Sequence, residues 1–565
     1  MDVIHSGEIN NIGNAVSPAQ VLNTVPGLRF DERGAGGSRR VSIRGSVLRS
    51  PFGVQNIKAY IAGVPLTSPD GSTPLEVIDL ASIGVIEVKK GQLGDEYGPG
   101  NGGVLQFDPN QLLGSGKWSG KLSFSAGSYG QKRWGLEAGY HFKKTNVVIR
   151  YFGQRYVGYR AQESNEKDLI FLHLAHRLGA KERWQVGLTA WLFQGYWELP
   201  GALTAAEAAT NPRQALAFAK MAQAHVNRKR GRMIWDLQGK LKRLDLRVSI
   251  YGNLSKKLNP YGSSPFFQGY KDENLAGTGA RVTVATEKQL GNRWTLVWTS
   301  AAEFQLENKI LLESENELGK PGNLRANTAT IAQQTHLFSQ FLIKKRNHSW
   351  ALASGLNQVR FKQNDQFVSP NNFLTRKFPL TILPSLTYHF RQLYALRGPE
   401  LRIRLATGYS PPSLVELRQG NGSLNPLLLP ESSIGLEVRP GLKFRDPKIT
   451  GELNIYSFQV RNAILPKQLS SGETIFQNTD RTVQSGIEAM LRFGQQSKQF
   501  KHRVITAKAG FQHYVFGQYA KDSLSLKGKR LPGVPDLTAS LSASTTLFGY
   551  FKLSAMLRFQ GRSPA

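Results

Sequence analysis

The fold is decided by a stretch that begins at Lys117. Residues 117–126 read KWSGKLSFSA, which puts Trp118, Leu122 and Phe124 on one face of an extended chain, opposite lysines and serines. Strict alternation over about ten residues indicates a β-strand with one apolar face, because a helix would need apolar residues three and four apart. The pattern recurs up to residue 562, for example at 134–142, 184–192 and 551–559. We therefore predict about nineteen strands in this all-β region.

The connections between these strands alternate in length. Short ones fall near residues 142–146, 179–182, 242–244, 287–292, 344–347, 391–399, 445–448, 495–500 and 548–549. The intervening ones are mostly long, near 156–166, 196–231, 255–277, 305–330, 362–378, 410–430, 462–481 and 517–534. This sorting is typical of an outer-membrane barrel with short periplasmic turns and longer external loops. A single sandwich is not expected, because open sheets rarely exceed about ten strands.

Composition excludes several other classes. The 565 residues include no cysteine, so disulfides and cysteine-based metal sites are excluded. No run approaches the roughly 20 consecutive apolar residues of a membrane helix. No signal peptide is visible after Met1, so we expect a truncated or processed N-terminus.

The net charge of +32 has two interpretations. Lysine and arginine are spread through the strands and turns, with one denser run at 227–232. They could simply be basic lumen and surface positions, or they could attract an anionic ligand or the phosphates of lipopolysaccharide. A nucleic-acid-binding protein usually gathers its charge on one face or arm, so no nucleic-acid partner is predicted.

The first 113 residues do not alternate and contain five ordered motifs instead. They are VLNTVPGL (21–28), VSIRG (41–45), YIAGVPL (60–66), IGVIEVKKG (83–91) and YGPGNGGVL (97–105). Together they resemble the plug of TonB-dependent outer-membrane receptors, and residues 410–417, 425–431 and 478–488 resemble motifs of that family's barrel. One departure is Ala62, where the family usually has Asp. The resemblance implies an N-terminally incomplete α+β plug domain at 1–113, inside a transmembrane barrel at 114–565.

The resemblance also implies that the chain is truncated at both ends. The family barrel has about 22 strands, so roughly three C-terminal strands would be missing here. A signal peptide and the segment that contacts TonB would be missing at the front. Strand parity agrees, because a nineteenth strand would end at the cell surface, whereas finished bacterial barrels have an even count.

Two groups of plug residues are implied as functional. By resemblance, Arg44 and Lys90 match basic plug positions that meet barrel glutamates, here Glu437 and Glu488. This cluster would hold the plug and yield when TonB pulls; the alternative is ordinary charges in a wet lumen. Ligand contact is expected at the outward plug apices, from Arg49, Ser50, Phe52, Gln55, Asn56, Ser68, Asp70 and Ser72, where Arg49 suits a carboxylate-bearing ligand. Each of these could equally be a loop residue without a ligand role.

Three other features of the sequence say less about function. Gly98, Gly100 and Gly103 fit the dinucleotide fingerprint, but a strand follows them where that fingerprint requires a helix. His173 and His176 would point to opposite faces of a strand and could not share a metal, so no metal site is predicted. Residues 202–226 are rich in alanine and predict helix, starting near Thr204 or after Pro212.

By resemblance, the function is uptake of a scarce ligand across the bacterial outer membrane, driven by the TonB–ExbB–ExbD complex. The leading ligand is a ferric siderophore or ferric citrate; a glycan, cobalamin or haem, or a passive porin, are the alternatives. We predict no enzymatic activity, because the nucleophile-elbow and phosphate-loop motifs are absent from the sequence. No cofactor is predicted. The expected partners are the ligand, outer-membrane lipid and lipopolysaccharide, around a monomer.

Overall fold

The structure is a computed structural model with two nested parts. It describes residues 2–5, 17–32, 39–49, 54–109, 117–264, 267–291, 293–367, 370, 372–392, 398–419, 423–444, 448–468, 474–495, 500–518, 520–521, 524–547 and 551–564. No helix in this part of the chain has the length and apolar character needed to cross a bilayer.

The plug is a small α+β unit. Its elements are β1 (Asp2–His5), α1 (Pro18–Leu22), β2 (Leu28–Glu32), β3 (Arg39–Ile43), β4 (Ile57–Ile61), β5 (Val64–Pro65), β6 (Val85–Lys90), α2 (Gly94–Tyr97) and β7 (Gly103–Asp108). A five-stranded sheet has the order β1-β6-β7-β4-β5, and β2 pairs with β3 in a separate hairpin. Three short 3-10 turns, at Ser46–Arg49, Leu75–Val77 and Leu80–Ser82, lie between these strands.

The hydrophobic core of the plug continues into the barrel wall. Ile43, Ala59 and Ile86 are completely buried in the plug. They belong to one apolar cluster with inward-facing barrel residues such as Trp191 and Ile234. Because this cluster crosses the boundary between the two parts, the plug is packed against the wall and does not hang free in the lumen.

The first half of the barrel contains tall strands. Its elements are β8 (Trp118–Gly127), β9 (Gln131–Phe142), β10 (Thr145–Tyr156), β11 (Asn165–Leu178), β12 (Trp184–Glu198), α3 (Ala205–Thr210), α4 (Ala217–Met221), β13 (His225–Leu241), β14 (Leu244–Ser264), β15 (Phe267–Leu290), β16 (Trp294–Glu317) and β17 (Lys320–Lys345). Strands β14 to β17 have 21 to 26 residues each, far more than the roughly ten that span a bilayer.

The second half completes the cylinder. Its elements are β18 (His348–Asp365), β19 (Phe373–Lys377), β20 (Thr381–Arg391), β21 (Gly398–Ser410), α5 (Leu414–Leu417), β22 (Glu431–Phe444), β23 (Lys448–Gln468), β24 (Thr474–Gln495), β25 (Phe500–Gln518), β26 (Ala520–Lys521), β27 (Leu524–Ser525), β28 (Leu537–Leu547) and β29 (Phe551–Gln560). Strands β26 and β27 form a small external hairpin.

The strand count agrees with the prediction. Strands β19 and β20 both pair with β18, so they form one interrupted strand, and the twenty barrel segments make nineteen strands. The sheet topology is that of a closed barrel in which β29 and β8 are neighbours. Consecutive strands from β8 to β29 pair in antiparallel register through the described residues. Both closing strands are largely exposed on both faces.

The outward face of the wall is apolar and ends in an aromatic belt. Leu192, Leu254 and Leu352 are exposed by 60%, 67% and 61%, which is expected of side chains that face lipid. Near the short turns, the ring centroids of Trp294 and Trp350 lie 6.2 Å apart, and Tyr388 stacks beside Trp350 at 5.9 Å. Aromatic residues favour the membrane–water interface, so this belt marks the periplasmic edge of the bilayer.

Each of the nine predicted short turns falls between two consecutive barrel strands. The turns at 142–146, 179–182, 242–244 and 344–347 are described in full, whereas the other five include residues outside the described ones. The predicted long loops at 255–277, 305–330 and 462–481 are wrong in large part, because β14 to β17, β23 and β24 continue through most of these residues. Backbone pairing with the neighbouring strand overrides the loop-like composition there. The predicted helix at 202–226 is two short helices, α3 with Thr204 as its N-cap and α4, and β13 begins at His225. The domain boundary predicted at 113/114 lies outside the described residues.

Candidate functional site

The backbone of the plug aims Arg44 at the barrel wall. Arg44 follows β3 with a φ of +48° and is followed by Gly45 with a φ of +82°. Its backbone N–H donates to the carbonyl oxygen of Gly27 at 2.8 Å, which closes the β2–β3 hairpin. A non-glycine residue with positive φ is uncommon. The sharp turn directs the guanidinium out of the plug and toward β22–β24.

The guanidinium of Arg44 binds two barrel carboxylates. Nε and Nη2 donate to the two carboxylate oxygens of Glu488, each at 3.0 Å, and Nη1 donates to Glu437 at 3.0 Å. The ammonium of Lys90 lies 2.7 Å from Glu488 and 3.0 Å from Asp2. The structure therefore brings together all four residues named for this group; we call Arg44, Lys90, Glu437 and Glu488 the inner cluster. Its role in plug release stays a prediction.

The surroundings of the inner cluster exclude water and leave little space. The Arg44 guanidinium stacks 3.9 Å from the ring centroid of Tyr456, whose hydroxyl is 2.7 Å from that of Tyr514. Two plug glycines make room for the carboxylates: a Cβ at Gly27 would lie 2.3 Å from a Glu488 oxygen, and one at Gly91 would lie 2.0 Å from a Glu437 oxygen. A bidentate arginine–carboxylate pair in such a site is strong and directional.

A second ionic link lies on the outward side, at Arg49. Ser413 is the N-cap of α5, and Glu416 completes the capping box by accepting from the Ser413 backbone N–H. This cap fixes Glu416 so that its two oxygens accept from Nε and Nη2 of Arg49, at 2.9 and 2.6 Å. Glu431 adds a third contact at 3.3 Å. We call Arg49, Glu416 and Glu431 the outer cluster.

The outer cluster changes the interpretation of Arg49. We predicted this side chain as a ligand contact, but it is 2% exposed and already bound by two barrel carboxylates. A ligand carboxylate would have to displace one of them. The motif at 410–417 was recognised in the sequence, but its pairing with Arg49 was missed, because nothing in the local pattern shows which plug charge a barrel carboxylate meets.

Besides the pairs Glu76–Arg228 and Asp79–Arg133, three ionic links between plug and barrel were missed by the sequence analysis. Lys58 lies 2.6 Å from Glu303, Asp70 lies 2.7 Å from Lys309, and Asp95 lies 2.8 Å from Arg404. In each pair at least one charged group is almost fully buried. The available signal was strand parity, which turns these barrel residues inward, together with charges inside otherwise apolar plug segments.

Asp70 is held ionised by its partners. Burial alone would raise the pKa of this carboxyl, but the charge of Lys309 and hydrogen bonds from Ser72 bring the pKa down to about 2. The Lys309 ammonium donates to one oxygen, and the backbone N–H and hydroxyl of Ser72 donate to the other at 3.0 and 2.6 Å. Asp70 therefore joins the plug apex to β16 and orders the apex turn.

The predicted ligand residues divide into three groups. Arg49, Ser68 and Asp70 are buried, and Ser68 donates to Glu307 at 2.9 Å. Gln55 and Asn56 are half-buried, and Ser72 is exposed. Ser50 and Phe52 lie outside the described residues. Their ligand role stays a prediction throughout.

A narrow cleft brings most of these residues together. It lies between the two plug apices and the barrel segment 410–413, and its lining includes Arg49, Gln55, Asn56, Ser68 and Asp70. The Oε1 atom of Gln55 is buried without a hydrogen-bond partner among the described residues, so an acceptor is directed at this cleft. The cleft lies beside Ser410–Ser413, at the end of β21 that leads into a long connection, and is the candidate ligand-contact site.

The wall beside the second plug apex, residues 67–73, is cationic. Strand β13 turns Arg228, Arg230 and Arg232 into the lumen, all buried. Arg228 pairs with Glu76. Within the described residues no carboxylate lies within 4 Å of Arg230 or Arg232, and the Arg232 guanidinium stacks on Tyr251 at 4.3 Å. The run at 227–232, noted for its density of charge, thus alternates between lumen and lipid.

The glycine-rich segment and the two neighbouring histidines singled out in the sequence lie apart from these clusters. A strand, β7, follows the glycine-rich segment at 98–103, as expected. His173 and His176 contact Thr189 and Thr145 separately. No group of three metal-ligating side chains occurs in the described part of the chain.

A closed barrel of nineteen strands, filled by a plug that buried ion pairs join to the wall, defines a plugged outer-membrane barrel. Two family models match: "TonB dependent receptor-like, beta-barrel" over residues 174–564 and "TonB-dependent Receptor Plug Domain" over residues 1–105. The chain belongs to the TonB-dependent receptor family, whose members are outer-membrane proteins that work with TonB and are not enzymes.

Solved structures share this fold at low identity. The unliganded ferric citrate transporter FecA superposes with a TM-score of 0.82 at 15% identity, covering 99% of this chain and 84% of that one. The ferric yersiniabactin uptake receptor FyuA from Yersinia pestis gives 0.77 at 12% identity, with coverages of 99% and 85%. The copper transporter OprC gives 0.76 at 16% identity, with coverages of 100% and 85%.

Proposed function

We propose that this receptor imports an anionic ferric chelate, a ferric siderophore or ferric citrate, through the cleft between plug apices and barrel. The observation that carries the proposal is the pair of buried lumen arginines, Arg230 and Arg232, beside the second apex. Removing a cation from water is costly unless an anion compensates it. A ligand bearing carboxylates would provide that compensation, and Arg is well shaped to bind it.

Binding and release would be separate events. The ligand would contact Gln55, Asn56 and Ser72 at the apices and draw negative charge toward β13. Force from the TonB–ExbB–ExbD complex would then open the inner cluster first, because Glu437 lies six residues along β22 from Glu431, toward the short turn and so nearer the periplasm than the outer cluster. No bond of the ligand would be broken, which agrees with a transporter that performs no chemistry.

The test is growth and iron uptake in an iron-starved strain that lacks its own ferric receptors. The full-length gene is expected to restore uptake of labelled iron from one of a panel of ferric citrate and ferric siderophores. The double variant Arg230→Gln/Arg232→Gln should reduce that uptake by at least tenfold. Arg177→Gln, an exposed arginine paired with Glu182 near the short turns, is the matched control and should leave uptake unchanged.

Three outcomes would contradict the proposal. Growth on cobalamin, haem or a glycan, without any ferric chelate, would assign a different ligand to the same fold. An unchanged uptake in the double variant would remove the arginines from ligand binding. A steady open-pore conductance from the purified chain would favour a passive porin.

A further inference from the structure

A groove with a volume of about 750 Å³ lies on the outer wall of the barrel. It is lined mainly by outward-facing side chains of β10 to β16. The groove shares strand β13 with the ligand site, but it lies on the opposite face of the wall: Lys229 and Gly231 face outward, whereas Arg230 and Arg232 face the lumen. It faces the membrane.

The floor of the groove is one row of cross-strand neighbours. Registers align Ile170 with Leu192, Leu192 with Gly231, Gly231 with Leu254, and Leu254 with Ala276. The three large members are exposed by 47%, 60% and 67% in chain order. Gly231 and Ala276 are small, so they leave a trough on either side of Leu254. A Cβ at Gly231 would lie 3.2 Å from the side chain of Leu192.

The rim directly above is polar and carries two opposed cations. The next row aligns Gln194 with Lys229, and Lys229 with Lys256. Like charges directly opposite each other on neighbouring strands are destabilising. Lys256 has one distant carboxylate, Asp272 at 3.8 Å, whereas Lys229 forms no ion pair within the described residues. The nearby Asp168 is bound by Arg155 at 3.0 Å and by Tyr151 at 2.8 Å.

The two rows lie at the outer edge of the bilayer. Strand β13 descends from Lys229 to Leu241, where the short turn begins. Those roughly twelve residues, in a strand tilted by about 40°, cover the height of an apolar band of about 25 Å. Lys229 and Lys256 therefore sit at the level of the lipid headgroups of the outer leaflet, with the apolar trough just below them.

We propose that this groove binds a phosphorylated acyl lipid of the outer leaflet. An acyl chain would lie in the trough over Gly231, and a phosphate would sit between Lys229 and Lys256 and relieve their repulsion. We assign the site to a lipid and not to free phosphate, because the apolar trough and the pair of lysines are contiguous. It is independent of the transported ligand.

The test titrates the folded, detergent-solubilised chain with a diphosphorylated acyl glucosamine disaccharide and counts bound lipid by native mass spectrometry. Each lysine near the headgroups is expected to contribute about a fivefold factor in affinity, so Lys229→Gln/Lys256→Gln should bind about 25-fold more weakly. Gly231→Leu keeps both cations but fills the trough, and should also bind more weakly. Lys240→Gln, at the other end of β13, is the control and should bind like the wild type. Heat-dependent electrophoretic mobility confirms that each barrel is folded.

Four results would overturn the proposal. Equal affinity of the double variant and the wild type would show that the two lysines do not bind the lipid phosphate. Equal binding of the same lipid stripped of its phosphates would leave only nonspecific apolar contact. Full competition by inorganic phosphate, or unchanged binding to Gly231→Leu, would reduce the site to a simple anion site without a lipid trough.

Discussion

Removing the Arg44 guanidinium should loosen the plug by a predictable amount. In Arg44→Ala, the buried carboxylate of Glu488 loses two hydrogen bonds of 3.0 Å, and Glu437 loses one. Breaking a buried ion pair by removing one partner typically costs about 3–5 kcal/mol. Glu488 keeps Lys90 at 2.7 Å, which places the expected cost near the lower end, at about 3 kcal/mol. The equilibrium constant for plug opening should therefore rise by about 150-fold.

The absence of cysteine gives a clean assay for this opening. Ser82 lies in the plug, is 5% exposed, and can be replaced by the nearly isosteric cysteine to give the protein a single thiol. In Ser82→Cys protein, labelling requires plug opening, so its rate at low reagent concentration follows the open population. Arg44→Ala is expected to raise this rate by about two orders of magnitude.

A matched control and a clear refutation are available. Lys240 and Asp245 form an ion pair on the barrel, but their side chains are 69% and 56% exposed, so Lys240→Ala should leave the labelling rate unchanged. If Arg44→Ala labels within a factor of about two of the parent, the inner cluster does not hold the plug. The charges would then be ordinary lumen groups.

Three further predictions follow from the same contacts. Gly91→Ala should speed thiol labelling, because its Cβ would strike Glu437, whereas Gly179→Ala, with φ +73° and nothing within 4 Å, should not; equal rates would contradict the crowding argument. Glu416→Gln should weaken plug docking in the same assay by about 1.5–3 kcal/mol, since it removes a charged acceptor of Arg49; an unchanged rate would show that Glu431 suffices. The lowered pKa of Asp70 stabilises the docked plug fully above about pH 4, and this contribution of about 2.5 kcal/mol is lost as pH falls toward 2. Labelling is followed with a pyridyl disulfide, and each rate is divided by that of an unhindered thiol at the same pH, because the thiolate fraction itself falls with pH. Asp70→Asn should flatten this normalised profile, and an identical normalised profile would refute the role.

The sequence predicts the wall better than the loops. Alternation and turn composition located the boundaries between consecutive strands on the short-turn side, because lipid on one face and water on the other impose the same pattern on every strand. Above the membrane that constraint ends. The segment around Pro260 and Gly262 has loop-like composition, yet it is paired with β15 because a neighbouring strand can satisfy its backbone.

The site was predictable where resemblance supplied the partner. Arg44 and Glu488 are 444 residues apart, and no local pattern links them. The family motifs supplied this link. For Arg49 the same motifs named both partners without joining them, so an arginine that looked free for ligand is already bound. Lys58 and Asp95 carried no motif and could be found only once parity had turned their barrel partners inward.

The tall hairpins make the mouth of the barrel asymmetric. Strands β14 to β17 extend well above the bilayer as hydrogen-bonded hairpins. This side of the rim is therefore rigid and has little conformational entropy to lose when a ligand binds. Strands β23 and β24, of 21 and 22 residues, form a second tall hairpin, and the rim between the two groups is built of shorter strands and irregular connections. A chelate diffusing in from outside thus meets rigid hairpins at two positions on the rim, and the adjustments that enclose it are left to the lower segments between them.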